Sequence, residues 1–462
     1  MRRSAVLCAA SALALTIHAP NARAQGFSVY EHDACAMARG GAGVASPCNS
    51  ASAIFFNPAG ILSGPKAKAW DLQAGATLIH PIGSFTDSAT RAVSSLKNET
   101  FLVPSGYLTH QFGPRVAAGI GVFAPYGLTT SWDPTFLGRY LGYKTTLASL
   151  YFQPTVAVEI VPGLQLGVGV DYVHSSAQVH RRLDASAQTE TVSGTTITLA
   201  MLGVPPGTDF ADVLFDVSGS GWGGHAGVLW KATDRLSLGA RYLSQVKVKF
   251  SGSATFTPVA TGIALAAGNP FDAPAGTTLE QALFAGAGAL LGKQDATTNI
   301  TMPEQLVAGV AFKVMPTLSL MADWQWTNWT KFKTLDLHLA VADTTLSEYE
   351  HYGATNALRA GFDWQATPAV AIRGGVLTHN GASPDETVTP ILPEGQRFEG
   401  TVGAGIHLMP NLRLDLAYQY IRQQDRRGRM TDPVGRDPLP IDNTGLFKFT
   451  ANLFGASLAL AF

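Results

Sequence analysis

From about Ala67 onward, apolar and polar residues alternate with a period of two, the pattern of strands whose side chains point to opposite faces. Leu236, Leu238, Ala240, Tyr242, Val246, Val248 and Phe250 mark one face of such a run, and Ser237, Gly239, Arg241, Gln245, Lys247 and Lys249 fall between them. The dyad recurs at Leu412, Leu414, Leu416, Tyr418 and Tyr420 against Arg413, Asp415 and Gln419. It recurs again at Leu358, Ala360, Phe362 and Trp364 against Arg359, Asp363 and Gln365. Many runs exceed the ~10 residues that a tilted strand needs to cross a bilayer. Soluble sandwiches alternate too, but their strands are shorter. Tight turns punctuate the runs at Phe112-Gly113-Pro114-Arg115, Val161-Pro162-Gly163, Ala232-Thr233-Asp234-Arg235, Met315-Pro316-Thr317, Ala366-Thr367-Pro368 and Met409-Pro410-Asn411. Longer, more polar connections lie between them. Short turns on one side and long loops on the other predict an all-β, antiparallel transmembrane β-barrel of about 14 strands. The first strand is expected near Lys68–His80 and the last at Leu446–Phe462.

Composition narrows the class further. Charged residues are 14% of the 462-residue chain, hydrophobic residues 46%, and there are 48 glycines. A chain so poor in charge would be very apolar if it crossed a membrane as helices. Outside the N-terminus, however, no uncharged apolar run reaches the ~18 residues of a spanning helix. A barrel resolves the conflict, because its lipid face takes only alternate residues. The net charge of −1 lacks the basic footprint of a nucleic-acid binder.

The N-terminus reads as an export signal over 1–24: Arg2 and Arg3, an apolar stretch from Ser4 to Ile17, then Ala22-Arg23-Ala24 for cleavage. Residues 67–462 form the expected barrel, bound for the bacterial outer membrane. Three stretches do not fit its wall. Residues 25–66, rich in Gly, Ala and Ser, suit a small hatch folded inside the lumen. The others are long external loops near 184–212 and 258–299. The second carries Leu279, Ala282, Leu283, Phe284, Ala287, Leu290 and Leu291, roughly a helix with one apolar side. Such a helix is costly in water unless it packs or binds something. Leu283, Phe284, Leu290 and Leu291 are therefore candidates for capturing a hydrophobic ligand, the alternative being packing against the neighbouring loop. Trp324, Trp326 and Trp329 suggest an aromatic belt. Cys35 and Cys48 either pair or remain small buried thiols, and no Cys/His cluster has metal-binding spacing. No cofactor is expected.

Other residues carry a family resemblance. Gly26-Phe27 and Glu31 are followed by Ala38-Arg39-Gly40-Gly41-Ala42-Gly43 and by Ala51-Ser52-Ala53-Ile54-Phe55-Phe56-Asn57-Pro58-Ala59-Gly60. This stretch resembles the hatch of the FadL-type outer-membrane long-chain fatty acid transporters, whose Asn-Pro-Ala motif matches Asn57, Pro58 and Ala59. Phe123-Ala124-Pro125-Tyr126-Gly127-Leu128 resembles the family's kinked third strand. Gly223 to Leu229, Tyr242 to Lys247, Met302-Pro303-Glu304 and Trp326-Thr327-Asn328-Trp329 also fit, so the likeness spans Gly26 to Phe462. The resemblance implies a 14-stranded barrel closed by a hatch, ligand capture at external loops, and exit through a lateral gap at Ala124, Pro125, Tyr126 and Gly127. It implies a hydrophobic ligand, with long-chain fatty acids first and aromatic hydrocarbons of the toluene type as the alternative. A general porin is the remaining competitor.

Residue chemistry supplies reasons for these positions. Pro58 fixes φ and removes a donor, giving a stiff break beside Asn57. Pro125 cannot donate to a ladder and Gly127 has no side chain to pack, so the pair should interrupt the third strand. Arg241, Lys247 and Lys249 form an expected lumen-facing row of candidate carboxylate partners, since a desolvated carboxylate needs a cationic donor. No Gly-x-Ser-x-Gly elbow occurs, and the phosphate-loop-like stretch ending at Gly292-Lys293 has the wrong spacing and Gln294 in place of Ser or Thr. No enzyme is expected. The expected partners are a hydrophobic small molecule, outer-membrane lipid and lipopolysaccharide, and the barrel-assembly machinery during biogenesis, for a monomer that binds no nucleic acid.

Overall fold

The computed structural model describes residues 26–63, 69–192, 195–429 and 445–462. The export signal read at 1–24 lies outside them, as do the ends of the 25–66 segment. Fourteen strands close into one antiparallel barrel. They are β1 (Trp70–Asp87), β2 (Phe101–Gln111), β3 (Val116–Ser131), β4 (Lys144–Val161), β5 (Leu164–Asp184) and β6 (Asp209–Lys231). β7 follows in two pieces (Leu236–Leu243 and Val246–Pro258), as does β8 (Gln294–Met302 and Gln305–Met315). The ring continues with β9 (Leu318–Thr327), β10 (Thr355–Gln365), β11 (Val370–His379), β12 (Arg397–Met409), β13 (Leu412–Gln423) and β14 (Gly445–Ala461). β1 closes it, pairing with β2 from Trp70↔His110 to Ile79↔Phe101 and with β14 from Asp71↔Ala461 to Asp87↔Gly445. At the seam Trp70 and the terminal Phe462 exchange backbone hydrogen bonds of 2.9 Å. Among the described residues no helix is long and apolar enough to cross a membrane.

The alternation is inverted relative to a soluble protein. On β1, Leu72 and Leu78 are exposed while Gln73 and Thr77 are buried. On β12, Phe398 and Val402 face outward and Glu399 and Thr401 inward. A wall that is apolar outside and polar inside is stable only with lipid around it. The tight turns at 112–115, 162–163, 232–235, 316–317, 366–369 and 410–411 share one rim, and the long connections share the other. By the usual asymmetry the tight rim is periplasmic.

Two expectations about faces need correction. The alternation changes parity at Ser244-Gln245, where β7 is broken. Arg241 faces inward as read, but Val246, Val248 and Phe250 take the inner face beyond the break, leaving Lys247 and Lys249 exposed outside. The tryptophans also divide. Trp324 faces outward, whereas Trp329 is buried with its ring centroid 4.6 Å from that of Phe27.

Residues 26–63 fold inside the lumen as two short helices, α1 (Ala34–Met37) and α2 (Ala53–Phe56), and a 3-10 turn at Pro58–Ser63. Four residues per helix cannot be stable alone, so the surrounding wall holds them. Cys35 and Cys48 form a disulfide across this segment. Asp323 accepts from the Gly43 and Val44 backbone at 2.7 and 3.0 Å. Part of the glycine richness has its reason here: a Cβ on Gly167 would lie 2.3 Å from the Pro58 carbonyl carbon, and one on Gly227 2.3 Å from Asn57 Oδ1. The wall is thinned where the hatch presses on it.

Candidate functional site

The third strand is where the ladder of the wall is interrupted. The β2–β3 ladder runs from Gln111↔Ala117 to Gly106↔Val122 and stops there. On the other flank the β3–β4 register shifts between Phe123 and Tyr126. β2 continues to Phe101 and β3 to Ser131, where the Lys97 N–H donates to the Ser131 carbonyl at 2.7 Å and the Ser131 hydroxyl to Glu99 at 3.0 Å. Ala124, Pro125, Tyr126 and Gly127 fill the interval. The hatch supplies the missing partner: Val29 N–H donates to the Pro125 carbonyl and Gly127 N–H to the Phe27 carbonyl, both at 2.9 Å. Tyr126 turns inward, where its hydroxyl donates to the Pro303 carbonyl at 2.7 Å and accepts from Gln305 at 2.8 Å.

A cavity of about 540 Å³ lies behind and through this interval. Its walls include Phe27 and Tyr30 of the hatch, Leu128 and Leu147 of the lumen, and Leu102 and Leu150 toward the outside. Its acids and its arginine gather in one place, where Glu31, Arg397 and Glu399 lie with His379 and Gln423, while hydroxyl residues and His174 interrupt the apolar lining elsewhere. Arg397 stacks over Phe449 at 5.5 Å and donates from Nε to Gln423 at 3.3 Å. Nearer the external rim, a second apolar cavity of about 190 Å³ is lined by Leu141, Val179, Phe215, Ile300 and Leu337. Arg181 also lines it, and its buried Nε has no hydrogen-bond partner. Neither arginine stood out in the sequence. Each sits in a run whose neighbours alternate normally, and only the closed barrel shows which inward positions meet a cavity.

The other candidate residues fall as follows. Asn57 is buried and donates to the Val44 carbonyl at 2.7 Å and the Val228 carbonyl at 2.9 Å, fastening hatch to wall. Pro58 opens the 3-10 turn, and Ala59 is buried behind it. Arg241 donates to the Phe55 carbonyl at 2.7 Å and to Gln305 at 2.6 Å, with its guanidinium 4.5 Å over the Phe55 ring. Its charge is committed to the hatch, away from the large cavity. Lys247 and Lys249 lie outside the lumen altogether.

In the loops, α3 (Leu279–Ala287) forms on the expected apolar residues. Leu279 and Leu283 are buried against Ala185, Leu199 and Phe210 of the neighbouring loop region, with Phe284 and Leu291 half-buried beside them. Leu290 remains exposed, as do Met201 and Leu202. Glu280 ties the helix start to Thr261. Burial works against its charge, but hydrogen bonds from Thr278 and Thr261 outweigh that and hold its carboxyl below the ordinary value.

His225 acquires partners that spacing alone did not reveal. Its Nδ1 lies 2.6 Å from Asp171 Oδ1 and its Nε2 2.8 Å from Thr155 Oγ1. The three are buried in the wall and line neither apolar cavity. Below the hatch, on the periplasmic side, a larger polar cavity of about 1140 Å³ is lined by Lys231, Arg235, Lys313, Arg373 and Arg413.

Comparison with known proteins agrees with this architecture. Residues 15–462 match the family model described as outer membrane protein transport protein (OMPP1/FadL/TodX). The chain is 23% identical over 454 residues to the 47 kDa outer membrane protein of Pasteurella multocida, covering 98% of this chain and 97% of that one. It is 21% identical to the long-chain fatty acid transport protein of Salmonella typhi, covering 98% of both. Among solved structures, a Pseudomonas aeruginosa FadL homologue superposes with a TM-score of 0.78 at 22% identity, over 95% of this chain and 100% of that one. The Ralstonia pickettii toluene transporter TbuX gives 0.65 at 20% identity, over 94% and 99%. At such identities the structures establish the fold alone.

Proposed function

The chain belongs to the outer membrane protein transport family of hydrophobic-compound channels, and from that premise we propose that it takes up long-chain fatty acids by lateral exit through the β3 gap. The observation that carries the reading is the cavity itself: mainly apolar, continuous through the interrupted wall, and furnished at one end with Arg397. An acyl chain gains ~25 cal/mol for each Å² it removes from water. A carboxylate leaving water needs a charge-assisted donor, and an aromatic hydrocarbon needs none. Arg181 in the outer cavity and Arg397 in the inner one would receive the head group in turn. Ligand would enter over Leu290, Met201 and Leu202, pass to the inner cavity, and leave through the wall when residues 27–29 release the β3 edge.

The alternative, uptake of a toluene-type hydrocarbon, draws on the same fold and the same apolar walls. Labelled palmitate and labelled toluene offered to the same cells separate the two. We expect palmitate uptake to depend on the protein and to fall about tenfold, ~1.4 kcal/mol, in Arg397→Ala. Protein-dependent toluene uptake with no palmitate uptake would favour the hydrocarbon reading.

A further inference from the structure

The polar end of the cavity holds more than a cation. Glu31 of the hatch and Glu399 of β12 are both buried, and the one amide nitrogen of Gln419 donates to both carboxyl groups, at 2.9 Å to Glu31. Glu31 Oε2 also accepts from the Tyr30 N–H at 2.8 Å. His379 Nε2 lies 3.3 Å from Glu399 Oε1. The ring's other nitrogen, Nδ1, is buried, has no hydrogen-bond partner, and belongs to a residue on the cavity wall. Arg397 stands two positions before Glu399 on the same face of β12. The charged and titratable groups around the pair are Tyr30 and Glu31 from the hatch, Arg359 from β10, His379 from β11, Arg397 from β12 and Glu394 from the preceding loop.

Two carboxylates bridged by one amide and buried beside an apolar cavity repel one another, and a proton shared by the pair relieves that repulsion. A fatty acid faces the opposite difficulty, because its head must be neutral to follow its tail into hydrocarbon. We propose that Glu399, with Glu31 as its partner and His379 as relay, protonates the ligand carboxylate before lateral exit, a step that rests on the fatty-acid reading above. Arg397 first receives the carboxylate. The ligand oxygen takes the proton from His379 Nδ1, forming an O–H bond as the N–H bond breaks. His379 Nε2 takes the proton from Glu399, whose O–H bond breaks in turn. The imidazole ends neutral with its tautomer exchanged, and the negative charge has moved from ligand to Glu399. Arg397 then faces Glu399 instead of the ligand, and the neutral acid is free to leave through the β3 gap. A proton from water on the external side, returned through His379 to Glu399, resets the site.

The test uses the full chain reconstituted in vesicles, with palmitate and 1-hexadecanol as probes of equal length. The alcohol needs no proton, so the palmitate-to-hexadecanol transfer ratio isolates the step. Glu399→Gln should lower that ratio at least tenfold at pH 7.5 and flatten its pH profile, and Glu399→Asp should restore both. His379→Gln, which keeps a hydrogen-bonding amide, reads the same step if the first variant fails to assemble as a heat-modifiable barrel. A ratio and pH profile unchanged in either assembled variant overturns the relay while leaving fatty-acid transport intact. Wild-type protein that moves neither probe overturns the transport reading and the relay with it.

Discussion

The two large cavities lie on opposite sides of the same hatch and are built from opposite materials. Above it the walls include Phe27, Leu128, Leu147 and Leu453, the acids and the arginine cluster at one end, and the barrel ladder is interrupted. Below it the lining includes Lys231, Arg235, Lys313, Arg373 and Arg413, and the ladders beside it run on to the tight turns, with register shifts at their ends between Lys313 and Met315 and between His407 and Met409. The hatch mirrors the contrast. Its first residues are held to the β3 edge by two backbone hydrogen bonds, while its remainder is fixed by a disulfide, by Asn57 and Arg241, and by the Arg39–Asp363–Arg373–Asp415 charges. On the lateral-exit proposal, an apolar molecule in the upper cavity would meet a weak door into lipid and a strong one into a polar vestibule. The proposal of sideways movement rests on this contrast, because apolar surface returned to periplasmic water would forfeit what burial gained.

The bluntest way to break this contrast is to remove what separates the cavities. Deleting 26–63 should join them into one water-filled passage and raise single-channel conductance about tenfold or more, as in open-lumen barrels. Unchanged conductance would mean the lumen is blocked by something other than these residues. Closing the side door comes next. Pro125→Thr with Gly127→Val restores a donor and β-branched packing on β3, and a Cβ at Gly127 meets only ordinary contacts, 3.5 Å from the Leu147 carbonyl oxygen. Uptake of labelled palmitate should fall about tenfold, equivalent to ~1.4 kcal/mol, while binding to purified protein persists. Full uptake through the repaired strand would point to exit past the hatch. The disulfide tests the strong door. Its cysteines are 13 residues apart, and chain entropy for a loop of that size is worth ~3 kcal/mol. Cys35→Ser with Cys48→Ser should speed amide exchange in 34–56 without changing the strands. Equal exchange in both proteins would show that the wall contacts suffice.

Strands, turn asymmetry and hatch were legible because each rests on local chemistry: period-two alternation, Gly/Pro punctuation, and a segment that follows neither. The interruption at Pro125 and Gly127 was legible only with the family resemblance, because by local chemistry alone a Pro-x-Gly stretch reads as an ordinary turn or bulge. Which inward residues matter was not. Alternation assigns faces only until a break resets the parity, and the break at Ser244-Gln245 carried Lys247 and Lys249 to the outside. Arg241 kept its face, but the hatch claimed its charge. Arg397, His379 and Glu399 meet Glu31 only because β11, β12 and the hatch converge, and no spacing along the chain encodes that meeting. Trp329 and the Asp171–His225–Thr155 line were hidden likewise by long-range closure.

The smallest expected effect concerns the external loops, where the bonds are only partly buried and the contrast with the fixed floor can be sharpened. Glu280 joins the start of α3 to Thr261, and its carboxyl sits below the ordinary value of 4.5 because hydrogen bonds to the charged form outweigh burial. A folded-state value below the unfolded one means that folding favours the ionised form. The stabilisation is therefore complete above the unfolded value and disappears as pH falls through the lowered folded value. Amide exchange in 259–293 should be slow and flat near pH 7, then accelerate below about pH 4.5 once intrinsic exchange is corrected for. Glu280→Gln keeps the shape without the charge, so its exchange should be modestly faster at neutral pH and lack the acid-dependent component. The hatch at 34–56, tied by its disulfide, serves as the internal reference and should not follow the loop. An acid response in Glu280→Gln identical to that of the wild type would assign the loosening to another group and leave Glu280 a packing residue.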